Sequence, residues 1–140
     1  MPMIRGKGIL ALWNGVDPAR QPEYDLWHTR EHVPERLSVP GMIGARRYVL
    51  TTGLLPRYLT LYDLDDITVL SSEPYQRLLS EPTAWSRSMR PSFRGFMRLC
   101  CVRAFSAGGG TGGVLGAAML DEAAAADIDA LRDALTQALA

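Results

Sequence analysis

The 140-residue sequence lacks net charge and almost lacks lysine. Its 15 basic and 15 acidic side chains cancel, and Lys7 is the one lysine among the basic residues. A protein that binds nucleic acid electrostatically needs a basic excess to displace counterions, and a membrane-surface protein needs a polybasic cluster. The sequence therefore predicts no nucleic-acid partner and no membrane partner.

Long apolar runs and separated cysteines are missing as well. No stretch approaches the roughly 20 apolar residues of a membrane span. The N-terminal residues are not followed by an apolar run of signal-peptide length before Asn14 and Asp17. The two cysteines, Cys100 and Cys101, are adjacent, and adjacent side chains on a strand point to opposite faces, which opposes a disulfide. We expect a soluble, cytoplasmic protein with reduced thiols.

The composition that remains is that of a globular protein. Hydrophobic residues make up 47% of the chain, and the length suits one domain or one domain with an appendage. The charge is unevenly divided, because residues 1–105 hold 14 basic and 10 acidic side chains whereas residues 106–140 hold 1 and 5. The two parts of the chain are therefore different in kind.

The spacing of apolar residues predicts elements in the order β-α-β-β-α-β. Strands are predicted at 8–13, 42–51, 57–63 and 97–105, with a hairpin connection at 53–56. A helix is predicted from Glu23 to about Val33, where Pro34 ends or kinks it, and short helices up to about Phe93. This order is that of a ferredoxin-like module, an α+β fold with an antiparallel sheet and both helices on one face. We assign the module to residues 1–106.

Such a sheet leaves one face for something else to cover. Alternation along 57–63 places Tyr58, Thr60 and Tyr62 on one face and Leu59 and Leu61 on the other. We predict that the tyrosine face meets a second copy of the chain. The protein would then be a homodimer or a higher homo-oligomer, with a semi-polar cavity between the sheets.

We interpret the residues after the module as a linker and an extension. Residues 107–113 are a glycine-rich linker by composition. Residues 114–120 fit a fifth strand, and an alanine-rich helix is predicted from Asp121, its N-cap, to Ala140. This strand-helix extension, 114–140, either docks on a module or begins a truncated second one.

Both histidines lie in the segment Trp27-His-Thr-Arg-Glu-His-Val-Pro34. His28 and His32 share a helix face, with Glu31 beside them. Imidazole titrates near neutrality, so we predict His32, His28 and Glu31 as catalytic residues, with Glu31 or Glu35 holding an imidazole in one tautomer. Leu26, Val33 and Leu37 cluster on the other side of the helix, and a polar face opposite such a cluster is as often simply solvated.

The same segment matches the His-x-x-Glu-His pattern of a zinc site. A catalytic zinc needs a third protein ligand, and the sequence contains no further histidine. We therefore predict no metal. The string Gly108-x-Gly110-x-x-Gly113 matches a dinucleotide fingerprint, but it lies inside the linker, so no cofactor is predicted either.

Aromatic residues and an arginine are the candidate ligand contacts. Arg46 and Arg47 are adjacent on a strand, so each faces one side of the sheet, and we predict that Arg46 binds a carboxylate or enolate. The alternative is a surface arginine or an ion pair with Asp63 or Asp65. The other predicted contacts are Trp27, Tyr48, Tyr58 and Tyr62. We interpret the arginine stripe at positions 87, 90, 94 and 98 as a solvated face or an interface face.

A set of short motifs gives the sequence a family resemblance. Trp27-His-x-x-Glu-His-Val-Pro34, Val39-Pro-Gly41, Ala45-Arg-Arg-Tyr48, Tyr58-Leu-Thr-Leu-Tyr62 and Tyr75-x-x-Leu-Leu-x-x-Pro82-Thr-x-Trp85-Ser86 occur in this order. Together they resemble the EthD-like families of the dimeric α/β-barrel superfamily. The resemblance implies sheet-to-sheet pairing into a barrel and a small-molecule cleft that His32 faces. Members of that superfamily include isomerases, dehalogenases, monooxygenases and polyketide-processing enzymes, and many members have no known activity.

Two functional hypotheses follow. The first is a cofactor-free small-molecule enzyme of isomerase, cyclase or lyase type, in which His32 transfers a proton. The second is a non-catalytic small-molecule-binding or assembly protein with the same barrel. A haem or metal site through His28 or His32 is a further alternative. Histidines enclosed in a pocket favour the enzyme, and histidines on an open surface disfavour it.

Overall fold

The computed structural model describes residues 5–50, 52–53, 57–122 and 127–138. The described residues belong to two compact units, Arg5–Val102 and the part from Arg103 onward, and each is taken by itself. The hairpin connection predicted at 53–56 lies, apart from Gly53, outside the described residues. Among the residues described, no helix is long and apolar enough to cross a membrane.

The first unit is built on a four-stranded antiparallel sheet, as the sequence predicts. Its strands are β1 Gly8–Val16, β2 Met42–Val49, β3 Tyr58–Leu64 and β4 Phe93–Val102. Their order across the sheet is β2-β3-β1-β4, with every neighbouring pair antiparallel. This mixed α+β arrangement is consistent with a ferredoxin-like fold.

Four short helices connect the strands. They are α1 Gln21–Trp27, α2 Val33–Leu37, α3 Glu73–Ser80 and α4 Ala84–Met89, with 3₁₀ turns at Pro18–Arg20, Ile67–Ser71 and Arg90–Ser92. Polar side chains cap the starts of several of these elements. Asp17 accepts the N–H of Ala19, Asp66 that of Thr68, and Thr83 that of Ser86.

The helices bury one face of the sheet. One core cluster includes Leu10, Tyr62 and Tyr75, and a second includes Tyr24, Trp27, Val16, Tyr58 and Met89. The two clusters join residues from the strands to residues from the helical segments. Burial of this apolar surface is the main stabilising contribution to the unit.

The prediction of which sheet face stays open is wrong. Tyr58, Thr60 and Tyr62 are buried on the helix-covered face. Alternation could not decide between the faces, because Leu59 and Leu61 make the other face of β3 equally apolar. That second face is formed by side chains of β1, β3 and β4 that belong to neither core cluster: Ile9, Ala11, Trp13, Leu59, Leu61, Met97, Leu99 and Cys101.

The first helical segment does not stop at Pro34. Between α1 and α2 the chain makes one π-helical turn, His28–His32, and the N–H of Val33 donates to the carbonyl of His28. Proline has no N–H and its ring clashes with the carbonyl four residues earlier in a regular α-helix. The wider π turn accommodates Pro34, and the helix therefore continues to Leu37.

The sequence leaves open whether the histidine side of this helical segment is solvated or faces a cleft, and in the structure that side is the more deeply buried one. Tyr24, Trp27 and His28 are buried, whereas Leu26 and Leu37 are exposed. The sequence offers an apolar stripe and an aromatic stripe on the same segment. The aromatic stripe packs on the sheet because its large rings bury more area.

The second unit contains one described helix, α5, at Ile128–Ala138. Asp127 accepts the N–H of Ala130 at 2.9 Å and caps it. The strand predicted at 114–120 is not formed: these residues have no regular secondary structure, and Val114 and Met119 are exposed. A strand requires a neighbouring strand to pair its backbone groups. Helical residues predicted at 123–126 and 139–140 lie outside the described part of the chain. The domain boundaries and the role of the extension stay predictions.

Gly41 supplies a test of the packing between β2 and the Ile67–Ser71 turn. Its φ is +92°, and a Cβ at this position would lie 2.5 Å from Cγ2 of Val69. We expect Gly41→Ala to lower the free energy of unfolding by about 3 kcal/mol, because a left-handed conformation and an overpacked contact add. The measurement is urea denaturation followed by circular dichroism.

Gly95 provides the matched control for that substitution. Its φ is +58°, but no atom lies within 4 Å of a Cβ built there. Gly95→Ala should therefore cost only about 1 kcal/mol, the conformational contribution alone. Equal losses in the two variants would contradict the assigned contact with Val69.

Candidate functional site

A cavity of about 140 Å³ lies between the sheet and the helices of the first unit. A dry cavity of about this size in another protein accepts one benzene ring. The lining is largely apolar and aromatic, with both histidines and three arginines among its polar members. The residues are Leu10, Leu12, Asn14, Tyr24, Trp27, His28, His32, Arg36, Thr60, Tyr75, Leu79, Arg90, Phe93, Phe96 and Arg98.

The π turn presents both imidazoles to this cavity. The ring centroids of His28 and His32 are 5.4 Å apart, and the ring of Trp27 lies 4.4 Å from that of His32. Tyr24 contacts His28 with a centroid distance of 5.6 Å. A π turn within an α-helix is frequent at functional sites. Here it places two titratable rings beside each other, next to the aromatic rings of Tyr24 and Trp27.

The two histidines differ in their hydrogen bonding. Nε2 of His28 lies 3.4 Å from Oγ1 of Thr60, a contact whose donor depends on the tautomer. Nδ1 of His32 is buried and has no hydrogen-bond partner among the described residues. A buried polar atom without a partner carries a desolvation cost that a bound ligand would relieve. His32 is therefore the histidine whose ring has a buried nitrogen without a hydrogen-bond partner in the described part of the chain.

Both imidazoles are neutral at cellular pH. Burial, together with the charge of Arg47, lowers the pKa of His28 to about 3. Burial, together with the charges of Arg36, His28 and Arg90, lowers the pKa of His32 to about 2. Desolvation and nearby cations both disfavour an imidazolium.

Glu31 does not contact either imidazole. Its Oε1 accepts hydrogen bonds from the hydroxyls of Thr83 and Ser86. Ser86 in turn accepts the indole N–H of Trp27 at 3.3 Å. Glu31 thus fixes α4 and Trp27, while Glu35 pairs with Arg36 at 3.3 Å. The structure brings neither carboxylate to a histidine as a tautomer-fixing partner.

Three arginines line the cavity, and no carboxylate is among the lining residues. Arg36 is buried, with its guanidinium 6.0 Å from the centre of the Tyr75 ring. Nη2 of Arg98 donates to the Tyr75 hydroxyl at 3.1 Å, and Nη1 of Arg98 lies 2.9 Å from Sγ of Cys100. Arg90 completes the set from the turn after α4. The cavity therefore has a positive electrostatic character.

Four of the predicted ligand contacts do not line this cavity. Arg46 pairs with Asp63 at 2.8 Å, the alternative that the sequence left open, and borders a second, more open depression. Tyr48 faces the same side of the sheet as Arg46. Tyr58 and Tyr62 lie in the core, where neither hydroxyl has a partner among the described residues, and burial raises the pKa of Tyr62.

Sequence reasoning also misses several residues that the fold brings to the site. Arg90 and Arg98 belong to the arginine stripe for which the sequence predicts a solvated or interface face, and the position of Arg36 gives no separate signal. Arg47, the neighbour of Arg46, lies over the rings of Tyr24 and Tyr58 at 5.6 and 5.0 Å. It also pairs with Asp25 at 3.0 Å. The arginine spacing was visible, but only the packing of β4 and α4 shows that two of its members reach the cavity.

The described residues contain no cluster suited to a metal ion. No group of three or more histidine, cysteine, aspartate or glutamate side chains in this part of the chain is arranged as a ligand set. The two histidines alone would supply fewer protein ligands than a structural or catalytic zinc uses.

Comparison with known proteins gives a likeness of fold. No family model matches the sequence, and no curated protein matches it. The crystal structure of HapK from Hahella chejuensis superposes with a TM-score of 0.54 at 9% sequence identity, over 75% of this chain and 99% of HapK. Protein SO0527 from Shewanella oneidensis gives a TM-score of 0.44 at 14% identity, over 74% of this chain and 97% of its own. At such identities the likeness to HapK concerns the fold alone.

The lowered histidine pKa values predict a loss of stability in acid. The unfolded chain binds protons below about pH 6.5, whereas the folded histidines stay neutral down to pH 3 or 2. Folding stability is therefore lost as the pH falls below 6.5, by about 2 kcal/mol per histidine between pH 7 and pH 5. His32→Gln should remove the contribution of one histidine to this pH dependence of the free energy of unfolding. Urea denaturation of both proteins at the two pH values measures it, and equal pH dependence would contradict the burial of His32.

Proposed function

We propose that the protein is a cofactor-free small-molecule enzyme of isomerase, cyclase or lyase type that transfers a proton within the substrate. The observation that carries this proposal is the buried, unpartnered Nδ1 of His32 in a cavity the size of one aromatic ring. A general base must lie within hydrogen-bond reach of the proton it removes. The His32 ring lines the cavity, so a substrate bound there would contact the imidazole.

The lowered pKa of His32 keeps the imidazole unprotonated at cellular pH, but it also makes the ring a weak base. The proposed proton transfer therefore requires a developing anion beside the ring that raises this pKa. Removal of a C–H proton by this nitrogen would leave an imidazolium and an enolate side by side. The enolate charge compensates the imidazolium, and the guanidiniums of Arg36 and Arg98 stabilise the enolate oxygen. Return of the proton to another atom of the substrate would complete an isomerisation. Attack of the enolate carbon on a carbonyl carbon of the same substrate, followed by transfer of the proton to the resulting alkoxide, would instead close a ring.

His28 serves a different purpose in this proposal. Its Nε2 is engaged with Thr60, so it has less freedom to take a substrate proton. Its ring fixes the position of His32 at 5.4 Å and its neutral state avoids a second positive charge. The Trp27 ring, tilted by 36° against that of His32 at 4.4 Å, restricts the position of the imidazole.

Proton transfer is tested by deuterium exchange into a single-ring carbon acid. The probe is phenylacetone in D₂O, with loss of its methylene signal followed by proton NMR. We expect the wild-type protein to accelerate exchange and His32→Gln to lose at least about 100-fold of the acceleration, the usual contribution of a general base. His28→Gln, the same substitution one turn earlier, should lose less than about 10-fold.

The alternative function is a non-catalytic binding or assembly protein. It is favoured by the position of Glu31 and Glu35, because neither carboxylate orients an imidazole as a catalytic pair requires. Binding of phenylacetone without exchange would support this alternative. Exchange that His32→Gln leaves unchanged would reject the assigned base.

We further propose that two copies of the first unit pair through this second sheet face, as in the dimeric α/β barrels of the EthD-like families that the sequence resembles. Its eight apolar side chains belong to neither core cluster; Ala11 is buried and the other seven are half-buried. The Arg46–Asp63 ion pair lies on the same face, toward β2. A largely apolar sheet face with a polar edge is typical of an interface. A two-fold axis would set the same strands of both copies against each other.

An acidic substitution in the middle of that face tests the dimer. Leu61→Asp should convert a dimer into a folded monomer in size-exclusion chromatography with light scattering, because the carboxylate would be buried without a partner. Leu26→Asp, on the exposed outer side of α1, introduces the same charge and should leave the dimer intact. A wild-type protein that is monomeric at millimolar concentration would reject the interface.

A further inference from the structure

We propose that the cavity beside His32 is selective for an anion, namely a carboxylate or an enolate attached to a single aromatic ring. This inference rests on the function proposed for the site, and it adds the charge and the size of the ligand. Four independent features of the described residues support it: the volume, the aromatic lining, the unbalanced arginines and the available imidazole nitrogen.

The volume and the lining define the uncharged part of the ligand. About 140 Å³ accommodates one six-membered ring and few further atoms. Trp27, Phe93 and Phe96 line the cavity, and the rings of Trp27 and Phe93 are 5.9 Å apart. Flat aromatic walls favour a flat ligand, because stacked and edge-on ring contacts add to the burial of apolar area.

The arginines define the sign of the charge. Of the three that line the cavity, Arg36 is paired with Glu35. Neither Arg90 nor Arg98 forms a salt bridge with any residue that the structure describes. The cavity wall therefore has two positive charges that no carboxylate of the lining balances. A guanidinium is planar and donates two parallel hydrogen bonds to a carboxylate, which suits a planar anion.

The arrangement of Arg36 strengthens the argument for a built site. Its side chain is only 9% exposed, and its hydrogen bond to Glu35 uses one of its five N–H donors. Burial of a charged side chain is costly unless its donors are satisfied. An anion bound in the cavity would accept from donors that Glu35 leaves unused.

The imidazoles complete the selectivity. Arg36 and Arg90 make a positively charged His32 unfavourable, so the ring meets a ligand as a neutral donor or acceptor. A cationic ligand would face the same guanidiniums and would be rejected. An anion would lower the potential that the arginines create, and it would accept a hydrogen bond from whichever ring nitrogen of the neutral imidazole has the proton.

The test compares three ligands of one shape and different charge. Isothermal titration calorimetry at pH 7 measures the binding of benzoate, benzamide and benzamidine to the full-length protein. We expect benzoate to bind at least tenfold more tightly than benzamide, and benzamidine to show no binding.

Arg90 is the arginine to replace, because it is exposed, whereas buried Arg36 contributes to folding. Arg90→Gln should weaken the binding of benzoate about fivefold and leave the affinity for benzamide unchanged.

Arg87→Gln is the matched control. Arg87 lies in α4 and is not among the residues that line the cavity. Its replacement removes the same charge as the replacement of Arg90. It should leave the affinity for benzoate unchanged. Benzoate that binds no more tightly than benzamide would overturn the inference. An equal loss in Arg87→Gln and Arg90→Gln would also overturn it, because the effect would then come from the general charge of the surface.

Failure of this inference and failure of the proposed function give different results. A benzoate preference that depends on Arg90, combined with no deuterium exchange into phenylacetone, supports an anion-binding cavity and rejects proton transfer. Exchange that depends on His32, combined with equal binding of benzoate and benzamide, supports proton transfer and rejects anion selectivity.

Discussion

The packing of one aromatic helix face against the sheet is the constraint on which the rest of the structure depends. Tyr24 and Trp27 are almost completely buried, Tyr24 against Tyr58 of β3 and Trp27 against Phe93 of β4, and they fix the rotation of the whole segment from α1 to α2. That rotation determines which side chains point inward over the next two turns. His28, His32 and Arg36 follow the aromatic residues into the interior for this geometric reason. Placing them there has a cost, seen in the lowered pKa of both histidines.

The same constraint explains which parts of the fold could be predicted from the sequence. Strand order and antiparallel pairing followed from short apolar runs separated by turn residues, and β2 and β3 appear where the pattern places them. The face assignment failed on β3, because tyrosines and leucines alternate and either set can form a core. Only the partner decides, and the partner is the aromatic stripe of α1. That pairing between distant residues is not visible in local periodicity.

The candidate site could also be predicted from the sequence only in part. The histidine pair was recognisable from its spacing, and the structure places both rings in one cavity. Glu31 has the right spacing for a catalytic partner, yet its carboxylate accepts from Thr83 and Ser86, more than fifty residues further along the chain. Arg46 and Arg47 were distinguishable only as opposite faces of a strand. Their roles depend on Asp63 and Asp25, which tertiary contacts bring to them. Local sequence gives the residue types of a site, and long-range packing gives their orientation.

The π turn at His28–His32 also accounts for one additional residue within the helical segment. A π turn contains one residue more than the α-helix around it requires, so it is equivalent to a single-residue insertion kept within a helix. One residue corresponds to a rotation of about 100° in an α-helix. Without the extra residue, either the aromatic stripe of α1 or the side chains of α2 would face the interior, but not both. The widened turn thus joins two buried faces that a regular helix of this sequence would present in different directions.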